Sequence, residues 1–217
     1  MFQLVLINEI GLEKELWLLD KKGNILEPIV YGFPADEMGF LIEIRTEHSF
    51  YPTDIEMSLG LSQDVAEVRA RHMGFRVEEK AYREVDKYFI EYISDKYKHS
   101  QMPDYTENVY GDTLVPFSMH TGFHHNIATA GLHVHFSSRL IEGNKCEYIK
   151  LDISKIVKYL DNIFKHEIVS SLRAIGEFEH KSHGFEYRSL PSTADIKKVI
   201  EESFKILNET TGVKANE

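Results

Sequence analysis

Residues 131–137 read Gly131-Leu132-His133-Val134-His135-Phe136-Ser137. Apolar and polar residues alternate through this stretch, the period-two pattern of a β-strand with one face in an apolar core. Leu132, Val134 and Phe136 share that face, and His133 and His135 share the other. The spacing recurs elsewhere. Glu186 and Arg188 flank Tyr187 in a strand predicted over Gly184 to Leu190, and Glu43 and Arg45 alternate with Ile42 and Ile44 in one predicted over Phe40 to Thr46. Near the start, Glu13 and Glu15 lie between Leu12 and Leu16. Because residues i and i+2 of a strand point the same way, each predicted strand carries two chemically capable side chains on one side and apolar ones on the other. Lys14 breaks the alternation, which implies a frayed or edge position there.

Around these strands the pattern changes. Residues 2–20 are rich in Leu, Val and Ile, and Lys21-Lys22-Gly23-Asn24 forms a turn back into Ile25 and Leu26, giving a hairpin. From about Ser62 to Lys98, apolar residues such as Val65, Val68, Val85 and Phe89 recur at three- and four-residue spacing, predicting helix divided near Gly74 and Phe75. Residues 100–131 form a long polar connection, read as an active-site loop, with His120, His124 and His125 contacting substrate or solvent. A helix is predicted from about Asp152 to Arg173 and a last one after a cap at Ser192 or Thr193, with the apolar stripe Ile196, Val199, Ile200, Phe204 and Leu207. Gly212 to Glu217 reads as a frayed tail. The expected class is α+β, with helices covering the apolar face of a sheet whose other face is polar.

Composition narrows the function. A chain of 217 residues with 42% hydrophobic content supports one substantial core, so residues 1–217 are expected to form a single domain. A net charge of −10 without a basic block argues against a nucleic-acid surface. The lone Cys146 excludes an internal disulfide framework and a cysteine zinc cage, and points to a reducing, cytoplasmic setting. The opening residues lack the basic start and cleavage site of a signal peptide, and no run approaches the roughly 20 apolar residues that cross a bilayer.

Taken alone, Glu13/Glu15 or Glu43/Arg45 fits an ordinary solvated face; the histidine pair is the stronger signal. Together on one sheet face, the carboxylates of Glu13, Glu15, Glu43 and Glu186 would repel one another, and divalent cations are the usual remedy. Carboxylate oxygens with an imidazole favour Mg²⁺ or Mn²⁺ over zinc. Arg45 and Arg188 add planar donors suited to a transferring phosphoryl group. There is no G-x-x-x-x-G-K-[ST] loop and no strand-linked G-x-G-x-x-G, so a nucleotide would not be cradled by glycines.

Gly11-Leu12-Glu13-Lys14-Glu15, the 131–137 stretch and Phe185-Glu186-Tyr187-Arg188-Ser189-Leu190-Pro191 resemble strand motifs of the glutamine synthetase and glutamate-cysteine ligase superfamily, and Asp36 to Arg45 resembles its second carboxylate strand. The chain is most similar to the small phage-type amidoligases, the type 2 COOH-NH2 ligases. That resemblance implies a curved antiparallel sheet with a concave catalytic face, as in glutamine synthetase and guanido kinases. It further implies ATP and Mg²⁺ or Mn²⁺ as cofactors, small-molecule or peptide carboxylates and amines as substrates, and a host cytoplasm for a phage-encoded protein. Glu13, Glu15, Glu43, His133 and Glu186 resemble metal ligands, and Arg188 the phosphate-contacting arginine; Glu43 and Arg45 join it as catalytic candidates. His135 joins Arg188 as a nucleotide-binding candidate, and Asp36 is a further residue that the resemblance brings to the site without a defined role. Two other classes fit parts of the pattern: a cupin-type hydrolase or oxygenase built on His133 and His135, and a nucleotide- or metal-binding module without catalysis.

Overall fold

The computed structural model describes residues 4–36, 39–86, 89, 91, 105–111, 115–116 and 127–212. It is an α+β structure dominated by a nine-stranded antiparallel sheet. The long first strand, β1 (Leu4–Leu19), is flanked by β2 (Leu41–Arg45) on one side and β8 (Gly131–Glu142) on the other. Beyond β8 come β11 (Gly184–Pro191), β10 (Glu177–Lys181), β5 (Tyr105–Asn108) and β6 (Val115–Pro116). β3 (Arg76–Glu78) pairs with the end of β1, and β9 (Lys145–Tyr148) closes a hairpin with β8. A separate pair joins β4 (Tyr82–Glu84) to β7 (Ile127–Thr129).

Three helices, α1 (Pro52–His72), α2 (Ile153–Ser170) and α3 (Ile196–Thr211), supply the other half of the core among the described residues. Their buried stripes, including Ile55 and Leu59, Ile156 and Leu160, Val199 and Ile206, meet the even-numbered residues of β1, β2 and β8 and the odd-numbered Phe185 and Tyr187 of β11. Each such side chain removed from water contributes about 1.5–3 kcal/mol, so strand parity fixes which face is the core. The opposite face carries the polar pairs, but it is not polar throughout. Trp17, Leu19 and Leu41 point there too, under a second apolar cluster with Phe40, Val85, Ala128 and Ala130.

Several sequence expectations are corrected. Lys14 is neither frayed nor at an edge: β1 is internal at that point, and Lys14 is 3% exposed on the core-facing side, with Nζ 2.7 Å from Glu79 and 3.1 Å from Gln63. The central helix starts ten residues early, because Pro52 occupies its first turn, where a missing N–H costs nothing. It ends at His72, at the division expected near Gly74 and Phe75, with Gly74 at φ +77; the chain then continues as β3 and β4 instead of helix, while Phe89 and Glu91 are helical. Within 100–131, read as loop, residues 105–108, 115–116 and 127–129 are strands; His120, His124 and His125 lie outside the described residues. The last helix is capped by Asp195, whose carboxylate accepts from the Lys198 N–H, in place of Ser192 or Thr193. The opening hairpin turn is present, held by Asp20 accepting from the backbone of Lys22 and Asn24. No described helix is long and apolar enough to cross a membrane.

Candidate functional site

Strand register sets the polar residues in rows across the sheet. In one row Arg45 of β2 stands opposite Glu13 of β1, which stands opposite His133 of β8. In the next, Gly11, His135, Glu186 and Glu179 follow one another from β1 to β10. Glu43 and Glu15 face each other one step the other way. β11 bulges between Tyr187 and Leu190, so three residues there span two on β8. Glu186 and Arg188 therefore both face the site while Leu190 returns to the core.

The resulting cavity, about 290 Å³, is lined by Glu13, Glu15, Asp36, Glu43, Arg45, His135, Lys181, Glu186 and Arg188, with His133 buried beneath. All eight residues of the four sequence pairs thus come together, with Asp36 beside them. His133 Nδ1 lies 2.9 Å from Glu186 and 3.7 Å from Glu13, and its Nε2 lies 4.0 Å from Glu15. His135 Nε2 is 3.0 Å from Glu13. His133 Nδ1 and His135 Nε2 are thus buried at ion-pair distance from carboxylates, although neither contact is aligned as a hydrogen bond. Arg188 pairs with Glu186 and, at 3.3 Å, with Glu179. Its carbonyl accepts from Arg173 at 2.5 Å. Arg45 sits at the rim, bridging Glu43 and Glu13. Glu15 accepts the Gly131 N–H, and a Cβ at Gly131 would stand 2.8 Å from both Arg173 and His133, so glycine permits this packing.

Charge in the site is unevenly shared. Burial raises the Glu13 carboxyl, but His133 and His135 against it hold it well below the usual carboxylate range. Glu186 is likewise held low, burial being outweighed by Arg188 and His133. Glu43 goes the other way: burial and the neighbouring Glu13 charge push it up to about 7 despite Arg45. His133 is depressed by burial and by Arg188, yet Glu15, Glu13 and Glu186 outweigh both and lift it to about 9. A proton on Glu43 and another on His133 are what this carboxylate cluster takes up when no other cation serves.

Three groups escaped the sequence reading. Glu179 and Lys181 repeat the i, i+2 pattern on β10, and Lys181 Nζ is 2.9 Å from Glu186; the alternation Glu177-Phe178-Glu179-His180-Lys181 was the available signal. Arg173, just past α2, carried none. His48 and His183 approach His135 from loops that have no periodicity to read. Burial and the adjacent His183 and His135 depress His48 to about 4, and burial and His135 also lower His183.

The chain matches no protein-family model, no curated protein and no solved structure. What the site can do rests on its own donors. One ligand atom each from Glu13, His133 and Glu186 lie within 4.8 Å of one another, and the donors around them are mostly carboxylate oxygens. This set suits a hard divalent ion, and Arg45, Arg188 and Lys181, each paired with glutamates of the site, line the same cavity.

Proposed function

We propose that this chain is an ATP-dependent carboxylate–amine ligase acting with Mg²⁺ or Mn²⁺. The observation that carries the reading is the convergence of Glu13, Glu15, Glu43, His133 and Glu186 with Arg45 and Arg188 around one cavity on one sheet face. Glu13, Glu15, Glu43, His133 and Glu186 would hold the ions, which when bound neutralise nucleotide oxygens.

The residues of the chain do the rest. Arg188, fixed by Glu186 and Glu179, presents a planar guanidinium to the transferring phosphoryl group, and the exposed Arg45 meets it from the rim. His135 and Lys181 flank the nucleotide phosphates. The substrate carboxylate attacks the terminal phosphorus, ADP leaves, and the amine displaces phosphate from the acyl phosphate. Glu43, beside Arg45 in the cavity wall, is placed to accept the proton of the attacking amine. An adjoining cavity of about 740 Å³ shares Glu43 and Arg45 and is walled by Phe33, Ile44, Leu61 and Val65, which gives room for an apolar part of a small-molecule or peptide substrate. A cupin-type reading of His133 and His135 is disfavoured by the three helices beneath the sheet.

ADP release with Mg²⁺ and ATP, across a panel of amino acids and amines, tests the proposal. Glu15→Gln and Glu186→Gln should abolish it, and Arg188→Ala should slow it roughly 100- to 1000-fold with little loss of ATP affinity. Lysine at 188 should rescue poorly. With an ¹⁸O-labelled acid, each amide formed should place one label in inorganic phosphate. Amide accumulating without labelled phosphate, or turnover without nucleotide, overturns the reading.

A further inference from the structure

Beside the carboxylate cluster, three histidines from separate parts of the chain meet. His135 comes from β8, His48 from the loop after β2, and His183 from the turn between β10 and β11. Ring centroids are 4.7 Å apart for His48 and His183, 5.8 Å for His48 and His135, and 6.1 Å for His135 and His183. One ring nitrogen from each lies within 4.8 Å of the other two.

The surroundings are arranged for this meeting. Gly11 is the residue of β1 opposite His135, and a Cβ there would stand 2.5 Å from His48 Cδ2, so His48 can lie over the strand only because residue 11 is glycine. Ser137 Oγ approaches His48 Nδ1 at 3.5 Å, the kind of contact that orients a ligating imidazole through its other nitrogen. His135 Nε2 has the Glu13 carboxylate at 3.0 Å, whereas the buried His183 Nε2 has no hydrogen-bond partner, a state unusual in a folded protein unless an ion or ligand completes it.

We propose that His48, His135 and His183 form a second metal site that takes a borderline divalent transition ion, Zn²⁺ being the reference case, and leaves a fourth coordination position open. Three nitrogens are too soft a set for Mg²⁺, and they are the donor number of open zinc sites. Tetrahedral zinc with bonds of about 2.0–2.1 Å places its nitrogens about 3.4 Å apart, within reach of small ring rotations from the observed separations. Glu13, 3.0 Å from His135 Nε2, joins the two sites, so the ion would sit at the mouth of the carboxylate cavity. The proposal stands whether or not the chain is a ligase.

Zn²⁺ titration by calorimetry in excess Mg²⁺, which occupies the carboxylate oxygens, is the direct experiment. One Zn²⁺ per chain should bind. His48→Asn and His183→Asn should each weaken it at least about 100-fold, the upper end of what even an outer-shell loss costs a metal site, while Glu15→Gln leaves it unchanged. Co²⁺ alone should give the visible absorption of a tetrahedral nitrogen site, lost in both histidine variants. Imidazole NMR of the unmutated protein guards against variants that fail to fold: Zn²⁺ must shift the rings of His48 and His183. Zinc binding that survives both histidine substitutions, disappears with Glu15→Gln, or shifts only His133 overturns the assignment.

Discussion

Replacing Glu43 by glutamine should stabilise the protein in chelator, and only above about pH 5. Glu43 is buried, faces Glu15 across the strand pair and lies near Glu13, and its carboxyl is pushed from an ordinary 4.5 up to about 7. The sign follows from linkage. A carboxyl whose folded pKa lies above its unfolded one binds more protons when folded, so its contribution is intact below pH 4.5 and is lost as pH rises through 7. At about 1.4 kcal/mol per pKa unit, full ionisation removes roughly 3 kcal/mol. Glutamine mimics the protonated form and escapes that loss. The variant should thus gain less than about 1 kcal/mol at pH 5 but about 3 kcal/mol at pH 8, or roughly 6–12 °C in melting temperature for a chain of this size. Calorimetric melts of both proteins in EDTA, from pH 5 to 8, read this directly. Mg²⁺ should then raise the wild-type melting temperature at pH 8 more than that of the variant, by supplying the counter-charge. Parallel pH profiles for the two proteins in EDTA would show that Glu43 is not held in a repelling carboxylate cluster.

Tyr187→Phe should cost about 1–3 kcal/mol in a urea melt, because the fully buried Tyr187 hydroxyl donates to the buried Asp161 carboxylate at 2.8 Å; an unchanged midpoint would mean that this bond contributes nothing. Asp195→Ala should cost about 1 kcal/mol and Thr193→Ala distinctly less, since Asp195 caps α3; equal effects would contradict that start. Gly184→Ala should be severe, roughly 3–5 kcal/mol, since its Cβ would fall 1.9 Å from the Phe136 carbonyl oxygen across the β8–β11 pairing; a melting temperature within a degree of wild type would refute that close approach.

The polar and apolar faces of the strands were legible because period two is a local property: His133 and His135 need only Leu132, Val134 and Phe136 around them to declare their side. Lys14 shows the limit of the rule. Read as a defect, it is a buried cation held from beneath by Glu79 and Gln63, and both partners come from elements that sequence periodicity assigned to helix or left unpaired with it. Trp17 and Leu41 show the reverse case. They share the site face by parity, yet they are covered by residues around Val85 and Ala128, a contact between distant segments that no local pattern encodes.

Which residues share a face is local, but which of them touch is set by register between strands far apart in the chain. Glu13 meets His133 because β1 and β8 pair with that offset, and a slip of one residue would carry every glutamate to the core side. On β11 the signal was present in an unexpected form. Glu186, Arg188 and Leu190 have the same parity, so strict alternation would turn Leu190 out among the charges. Burying Leu190 requires one extra residue between Tyr187 and Leu190, and the bulge supplies it, with Ser189 accepting the Glu177 N–H where the ladder is interrupted. The apolar residue at the wrong parity is therefore what pins the bulge, and the bulge is what lets Arg188 lie against Glu186 and Glu179 while the core beneath remains closed.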